Sequence, residues 1–364
     1  MASPGLESFC CQNLSAYYPR PDGHSIKQDS FQTNGYNAIC ILSSLCSIVG
    51  ALFLIFSCKN CRDTRPADVG RRRLDPSIPP GYSKRIIAWL AVADLLACTG
   101  ILVRALVWLI DPDEEDHVIE DGNLDFAHIF CAISSGWIQY FYLSTYMWTF
   151  CYALDIVFMV KNKQSRQILY HILGWGVSGC LCLAGIIPLY YPSLLMCQYD
   201  LLNTVPHFLS YYIPLVFVMI TNPLLYIYAS KLVKGLVSGR SGRYTDSERS
   251  IVVRIREKFF LIMLVFYVCW LVNVINGILL IFKHQVSSGV FVALWNAMAV
   301  LNPLQAVLNT LVYKGIAGGI CRNRQHTANS HINSHHNSTT RNEFARSFNY
   351  STDNETSPLL NFRR

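Results

Sequence analysis

Seven stretches of this chain are apolar over roughly 20 residues or more, and a stretch of that kind has few ways to fold. A hydrocarbon core about 30 Å thick is crossed by roughly 20 helical residues at 1.5 Å each. Inside lipid no water is available to the backbone, so each segment must satisfy its own N–H and C=O groups, which a helix does. The sequence therefore predicts an all-α membrane protein, a seven-transmembrane helix bundle. Its spans are Tyr36–Cys58, Ile86–Ile110, Ile129–Val160, Ile168–Tyr191, Phe208–Ser230, Phe259–Phe282 and Val290–Tyr313. Residues 1–35 form a segment before the bundle (36–313), and residues 314–364 form a polar tail expected to be largely disordered. Composition agrees: charged residues are 15% of the 364, against about 25% in ordinary soluble domains. No short apolar stretch with a small-residue cleavage site precedes the first run, so the first span is expected to start insertion itself.

Charge sets the expected orientation, because cytosolic loops are enriched in Lys and Arg. The loops 59–85, 161–167 and 231–258 carry 8, 3 and 8 basic residues. The opposite side has only Arg20, Lys27 and Lys283, and its loop "DPDEEDHVIEDGNLDFAH" has 8 acids and no Lys or Arg. The N-terminus is thus expected in the lumen or outside the cell, and the C-terminus in the cytosol. The net charge of +7 then lies at the cytosolic face, where it meets anionic lipid or a protein partner. Nucleic acid binding would need a basic soluble domain, which this pattern lacks.

Ionisable and amide groups inside spans are costly and mark candidate sites. Asp94, in "LAVADLLACTG", can hold a cation or a polar network, or make a plain interhelical hydrogen bond. Asp155 lies near the cytosolic end of the third span. Arg104 is placed to clamp a ligand carboxylate bidentately; the competing expectation is snorkelling, or pairing with the acidic loop. In the sixth span Asn273 and Asn276 share a helical face, with Trp270 one turn earlier. In the seventh, Asn302, Gln305 and Asn309 form a stripe interrupted by Pro303, an expected kink. Arg104, Gln139, Asn273 and Asn276 are the ligand-binding candidates, and Asp94, Asp155, Trp270 and Asn302 the candidates for a polar switch. Interhelical packing is the alternative for each amide. "SSGWIQYFYLSTYMW", which contains Gln139, offers aromatic walls that serve a ligand or simply a core.

Cys131 opens the third span and Cys197 lies in the next loop on that side; they either form a disulfide over the bundle mouth or remain two thiols. Asn13-Leu-Ser is a glycosylation acceptor on the lumenal side. No metal site is expected, since His171 is the only histidine well inside a span. "YTDSERSIVVRIREKFF" carries Thr245 and Glu248 in a capping box. It predicts a helix from about 246 to 282, roughly 55 Å long, so its first turns project with Arg249, Arg254, Arg256 and Lys258 toward a cytosolic partner. In the tail, Cys321 is a candidate for palmitoylation. "NETSPLL" is either a glycosylation acceptor at Asn354 or an acidic dileucine signal of Glu355, Leu359 and Leu360. With the tail in the cytosol, the second reading is expected.

"ILYHILGWG", "LYYPSL", "YTDSER", "REKFFLIMLVF", "CWLVNVIN" and "LNPLQ" together resemble the ocular albinism receptors of pigment cells, and "LAVADLL" resembles the second helix of rhodopsin-like receptors. The likeness spans roughly residues 36–320. It implies a G-protein-coupled receptor of melanosomes, late endosomes or lysosomes, with the plasma membrane as a second location. It also implies partnership with a heterotrimeric G protein and L-DOPA or a related tyrosine metabolite as ligand; coat adaptor complexes are expected from the tail's Glu355, Leu359 and Leu360, and arrestin from its scattered Ser and Thr. No cofactor and no enzymatic activity are implied. The chain departs from the rhodopsin-like pattern: Asp155 is followed by Ile156 rather than by Arg-Tyr, "CWLVN" lacks a proline, and "NPLQA" has no Tyr. The rival readings are a transporter, which would show repeats and broken helices, and a non-signalling structural protein of the organelle membrane.

Overall fold

A computed structural model describes residues 34–63, 82–110, 124–161, 166–191, 201–239, 246–281 and 289–313, with isolated residues of the short connections. The described residues form seven helices long and apolar enough to cross a membrane. They are α1 (Asn34–Asp63), α2 (Tyr82–Ile110), α3 (Leu124–Val160), α4 (Gln167–Tyr190), α5 (Leu201–Gly239), α6 (Asp246–Ile281) and α7 (Gly289–Tyr313).

Pairs of contacting residues give the direction of each helix. Asp94 meets Thr145 and Arg104 meets Ser135, so α2 and α3 run antiparallel. Tyr170 meets Asp155 and Cys182 meets Gly136, which makes α3 and α4 antiparallel as well. Between α5 and α6 the partners are Tyr211 with Asn273 and Tyr267 with Met219. By contrast, Ser43, Ser47 and Gly50 meet Ala299, Pro303 and Thr310 in rising order, so α1 and α7 are parallel. The first face of the bundle is where α1, α3, α5 and α7 begin, and the second face is where they end.

The packing is that of a protein solvated by lipid. α3 is the most enclosed helix and α4 the least. Leu42, Val49, Ile133, Ile168, Leu224 and Leu311 are among many large apolar side chains left exposed on the outside. The interior holds the polar residues, including Asp94, Arg104, Gln139, Asn273, Asn276, Asn302, Gln305 and Asn309. Lipid solvates apolar side chains as well as the core does, so the polar groups decide which faces turn inward.

Several helices outrun the spans read from hydropathy. α5 covers 39 residues with Pro206, Pro214 and Pro223 inside it, beginning before Phe208 and passing Ser230. Proline removes one donor and leaves the carbonyl four residues earlier without its helical partner. Two such carbonyls are filled from a neighbouring helix. Tyr267 Oη of α6 donates to Met219 O, the acceptor that Pro223 deserts. Ser43 Oγ of α1 donates to Ala299 O, deserted by Pro303, at 2.8 Å, and Ser47 Oγ one turn on donates to Pro303 O. α4 contains a π-helical turn, Ile172–Val177, whose "ILGWGV" places Gly174 directly under Trp148. A β-carbon on Gly174 would lie 2.5 Å from a ring carbon of Trp148, so the close approach requires glycine. Ser178 Oγ supports the widened turn by donating to Gly174 O at 3.0 Å.

Candidate functional site

The buried polar groups form a ladder through the centre of the bundle. Toward the second face, Thr145 Oγ1 donates to Asp94 Oδ1 at 2.9 Å, and Asn309 of α7 stands beside the same carboxyl. Asp94 Oδ2 and both amide atoms of Asn309 make no protein hydrogen bond. Each is fully enclosed, and an enclosed polar atom without a partner costs about 1–3 kcal/mol.

One to two turns nearer the first face, four helices are tied by a continuous chain. Tyr146 Oη (α3) donates to Tyr211 Oη (α5) at 2.8 Å, and Tyr211 Oη donates to Asn273 Oδ1 (α6) at 3.4 Å. Asn273 and Asn302 (α7) form a reciprocal amide pair, 2.7 Å from Asn273 Nδ2 and 3.2 Å from Asn302 Nδ2. Trp270 Nε1 donates to Gln305 Oε1 one turn below. The Trp270 ring is boxed edge-on by Tyr142 and Tyr146, at centroid distances of 4.8 and 4.6 Å. Rotating Trp270 would therefore disturb α3, α6 and α7 at once. Trp270 and Asn302, read from sequence as switch candidates, fall into one connected network; Asp94 lies beneath it. Asn273, read as a ligand contact, is the hub of that chain.

Above the chain lie the remaining ligand candidates. Gln139 is one turn from Tyr142 on α3, and Asn276 one turn from Asn273 on α6, so helical rise places both in the same upper layer. Gln139 Oε1 and Nε2 and Asn276 Oδ1 are buried without a hydrogen-bond partner. Higher still is Arg104, 1% exposed, whose Nη1 donates to Ser135 Oγ, with Tyr36, Cys40 and Tyr190 around it. Arg104 does not snorkel: the guanidinium is enclosed within the bundle beside Ser135 and the phenols of α1 and α4, while the side chains of the acidic loop, its alternative partner, lie outside the described residues. Buried amide atoms left without partners are the groups in this layer that a donor or acceptor from outside the chain could satisfy.

Residues 1–359 match the family described as Ocular albinism type 1 protein. The chain belongs to that family. It is 35% identical over 332 residues to human G-protein coupled receptor 143, covering 87% of this chain and 78% of that protein. A more distant similarity, 22% over 143 residues, links 38% of the chain to 42% of Cyclic AMP receptor-like protein E of Dictyostelium discoideum.

In this ocular albinism family member, Asp155 is not part of the central ladder. It is buried against α4, where Tyr170 Oη donates to its Oδ1 at 3.2 Å. At the second face, Lys258 Nζ lies 3.9 Å from the centroid of the Tyr313 ring, joining α6 to the end of α7, and Arg256 is half-buried beside α5. α6 starts at Asp246, one residue past Thr245, where a capping box would place it. Thr245 itself, and the side chains of Glu248, Arg249 and Arg254, lie outside the described residues, as do Asn13, Cys321, Glu355, Leu359 and Leu360. Cys131 is disulfide-bonded, and Cys197 too lies outside the described residues. Among the described residues no group of His, Cys, Asp and Glu is arranged to hold a metal.

Sequence reasoning missed Tyr146, Tyr211 and Thr145 as network members. Tyr146 and Thr145 sat in a stretch read only as aromatic. The available signal was that a tyrosine hydroxyl inside lipid requires a partner.

Proposed function

We propose that this protein is a G-protein-coupled receptor that binds a small zwitterionic tyrosine metabolite, of the L-DOPA type, from its first face. Binding is relayed through the Tyr146–Tyr211–Asn273–Asn302 chain to a heterotrimeric G protein at its second face. One observation carries the reading: a layer of buried, partnerless amides, Gln139 and Asn276, lies directly above a hydrogen-bond chain that spans α3, α5, α6 and α7. A ligand that satisfies the upper amides gains differential contacts with one arrangement of the chain, and only such a difference shifts a conformational equilibrium. Arg104 would receive the ligand's carboxylate. The name of the human relative, G-protein coupled receptor 143, supports the class of partner.

The loop charges favour a lumenal or extracellular first face and a cytosolic second face, with Cys131 bridged to Cys197 and Asn13 glycosylated on the first side. Arg249 and Arg254 would then face the G protein, while Thr245 and Glu248 cap the projecting start of α6. Glu355, Leu359 and Leu360 would engage coat adaptors for melanosomal and late endosomal residence, and a palmitoyl group on Cys321 would hold the start of the tail to the membrane. Phosphorylated tail serines would recruit arrestin.

A cell assay tests the reading. Leu359→Ala/Leu360→Ala should hold the receptor at the cell surface, where added L-DOPA should elicit a G-protein response. Arg104→Ala should weaken that response at least about tenfold, the loss of one charge-assisted bidentate contact. Unchanged L-DOPA affinity in Arg104→Ala would remove the carboxylate clamp.

A further inference from the structure

A cleft of about 270 Å³ opens between α5 and α6 near the second face, lined by Tyr226, Arg256, Glu257, Phe260 and Leu261. Arg256 and Glu257 stand just before the apolar run of α6 that begins at Phe259, so the cleft sits where the helix passes from headgroups into hydrocarbon. Its volume is below the roughly 300–1,000 Å³ of sites that enclose whole drug-sized ligands. Its lining is chemically mixed. Arg256 and Glu257 both border it, yet neither forms an ion pair among the described residues, with each other or with anything else. Lys258, the next residue, is by contrast engaged on Tyr313. The Tyr226 and Phe260 rings stand 5.7 Å apart at 45°, a wedge of two aromatic faces, with Phe259 5.4 Å from Tyr226 behind them. Deeper along α6, Leu264 and Val268, one and two turns on from Phe260, are exposed, which makes an apolar track running toward the bilayer centre.

A zwitterionic phospholipid headgroup matches these features, and the aromatic wedge favours the quaternary ammonium of choline. A guanidinium pairs with a phosphate diester. Two aromatic faces beside a carboxylate are the surroundings that hold a quaternary ammonium. The two charges come from adjacent residues, as the two charges of a phosphocholine group lie close together, and the net charge of cleft plus headgroup stays zero. An anionic lipid without an amine would satisfy Arg256 but leave Glu257 beside a phosphate. We propose that the α5–α6 cleft is a binding site for one phosphatidylcholine molecule, with phosphate on Arg256, choline between Tyr226, Phe260 and Glu257, and acyl chains along the Leu264–Val268 track. This site is separate from the ligand layer and shares only Arg256 with the basic residues read from sequence as facing a cytosolic partner. It sets a lipid against the two helices that Tyr267 and Met219 tie together, so occupancy there biases the spacing of α5 and α6.

The test uses the full-length protein in nanodiscs of equal parts phosphatidylcholine and phosphatidylglycerol, doped with a trace of either lipid bearing a diazirine near the top of one acyl chain. After irradiation, crosslinked peptides are quantified by mass spectrometry. The phosphatidylcholine probe should label the peptides around residues 226 and 260–264 about two- to fivefold more than the phosphatidylglycerol probe, the preference expected of a surface cation–π contact. Glu257→Gln should erase that preference, and Glu257→Lys should reverse it in favour of phosphatidylglycerol. Both changes are at an exposed position, so an unchanged thermal midpoint confirms folding in each. Equal labelling by the two probes in the wild type, or a preference that survives Glu257→Lys, would overturn the proposal and leave an unselective lipid seam.

Discussion

The Asn273–Asn302 pair shows what a single polar residue does in this interior. The two amides bond each other reciprocally, and Asn273 Oδ1 also accepts from Tyr211 Oη, so removing Asn273 withdraws a partner from two neighbouring helices. Asn273→Leu should therefore destabilise the bundle by about 1–3 kcal/mol, and Asn273→Leu/Asn302→Leu should cost less than the sum of the two single changes. Unfolding midpoints of the four proteins in detergent measure this as a double-mutant cycle; additive losses would show that the two amides act separately. Gly174 makes the opposite point, that shape alone can be decisive. Its missing β-carbon is where the Trp148 ring lies, so Gly174→Ala should cost about 1–3 kcal/mol by overpacking. Trp148→Phe, read by the same thermal midpoint, should recover part of that loss by shortening the ring. The sequence displayed the asparagines as candidates because amides are rare in spans. Nothing in it displayed Gly174, whose role depends on a ring 26 residues away.

At the scale of elements, the helices are held where proline weakens them. Tyr267 supplies to Met219 O the donor that Pro223 lacks, and Ser43 does the same for Ala299 O opposite Pro303. Interhelical hydrogen bonds in lipid average about 0.6 kcal/mol and reach about 1.7, so Tyr267→Phe should lower stability by an amount in that range. In a Pro223→Ala background the backbone N–H returns, and Tyr267→Phe should become nearly neutral. A penalty of the same size in both backgrounds would mean that the hydroxyl serves something other than the deserted carbonyl. The existence of all seven helices was legible, because a run of some 20 apolar residues has no other stable form in lipid. Their ends were less so. Hydropathy marks where side chains leave hydrocarbon, not where hydrogen bonding stops, and so α5 continues past both limits read for it. α6 was the exception, since Thr245 and Glu248 gave a chemical start signal and the helix begins at Asp246. The π turn of α4 carries no sequence mark beyond two glycines around a tryptophan.

For the molecule as a whole, the polar interior and apolar exterior describe a bundle whose specificity lies in its buried hydrogen bonds. Arg104 taught the limit of reading single charges: near a span end it looked free to reach water, yet the fold surrounds it with Ser135 and phenols from two other helices. The Trp270 box and the Tyr146–Tyr211–Asn273–Asn302 chain join α3, α5, α6 and α7 in the middle of the bundle, one helical turn below the upper amides. If that chain relays ligand binding, then Tyr211→Phe, which deletes the hydroxyl linking Tyr146 to Asn273, should change signalling more than ligand affinity. The direct measurement is nucleotide exchange on a heterotrimeric G protein added to vesicles that hold the purified, folded protein. L-DOPA should accelerate exchange in the wild type, and Tyr211→Phe should blunt the acceleration while L-DOPA still binds. Exchange that L-DOPA and related tyrosine metabolites leave unchanged, across every class of heterotrimeric G protein, would contradict the account.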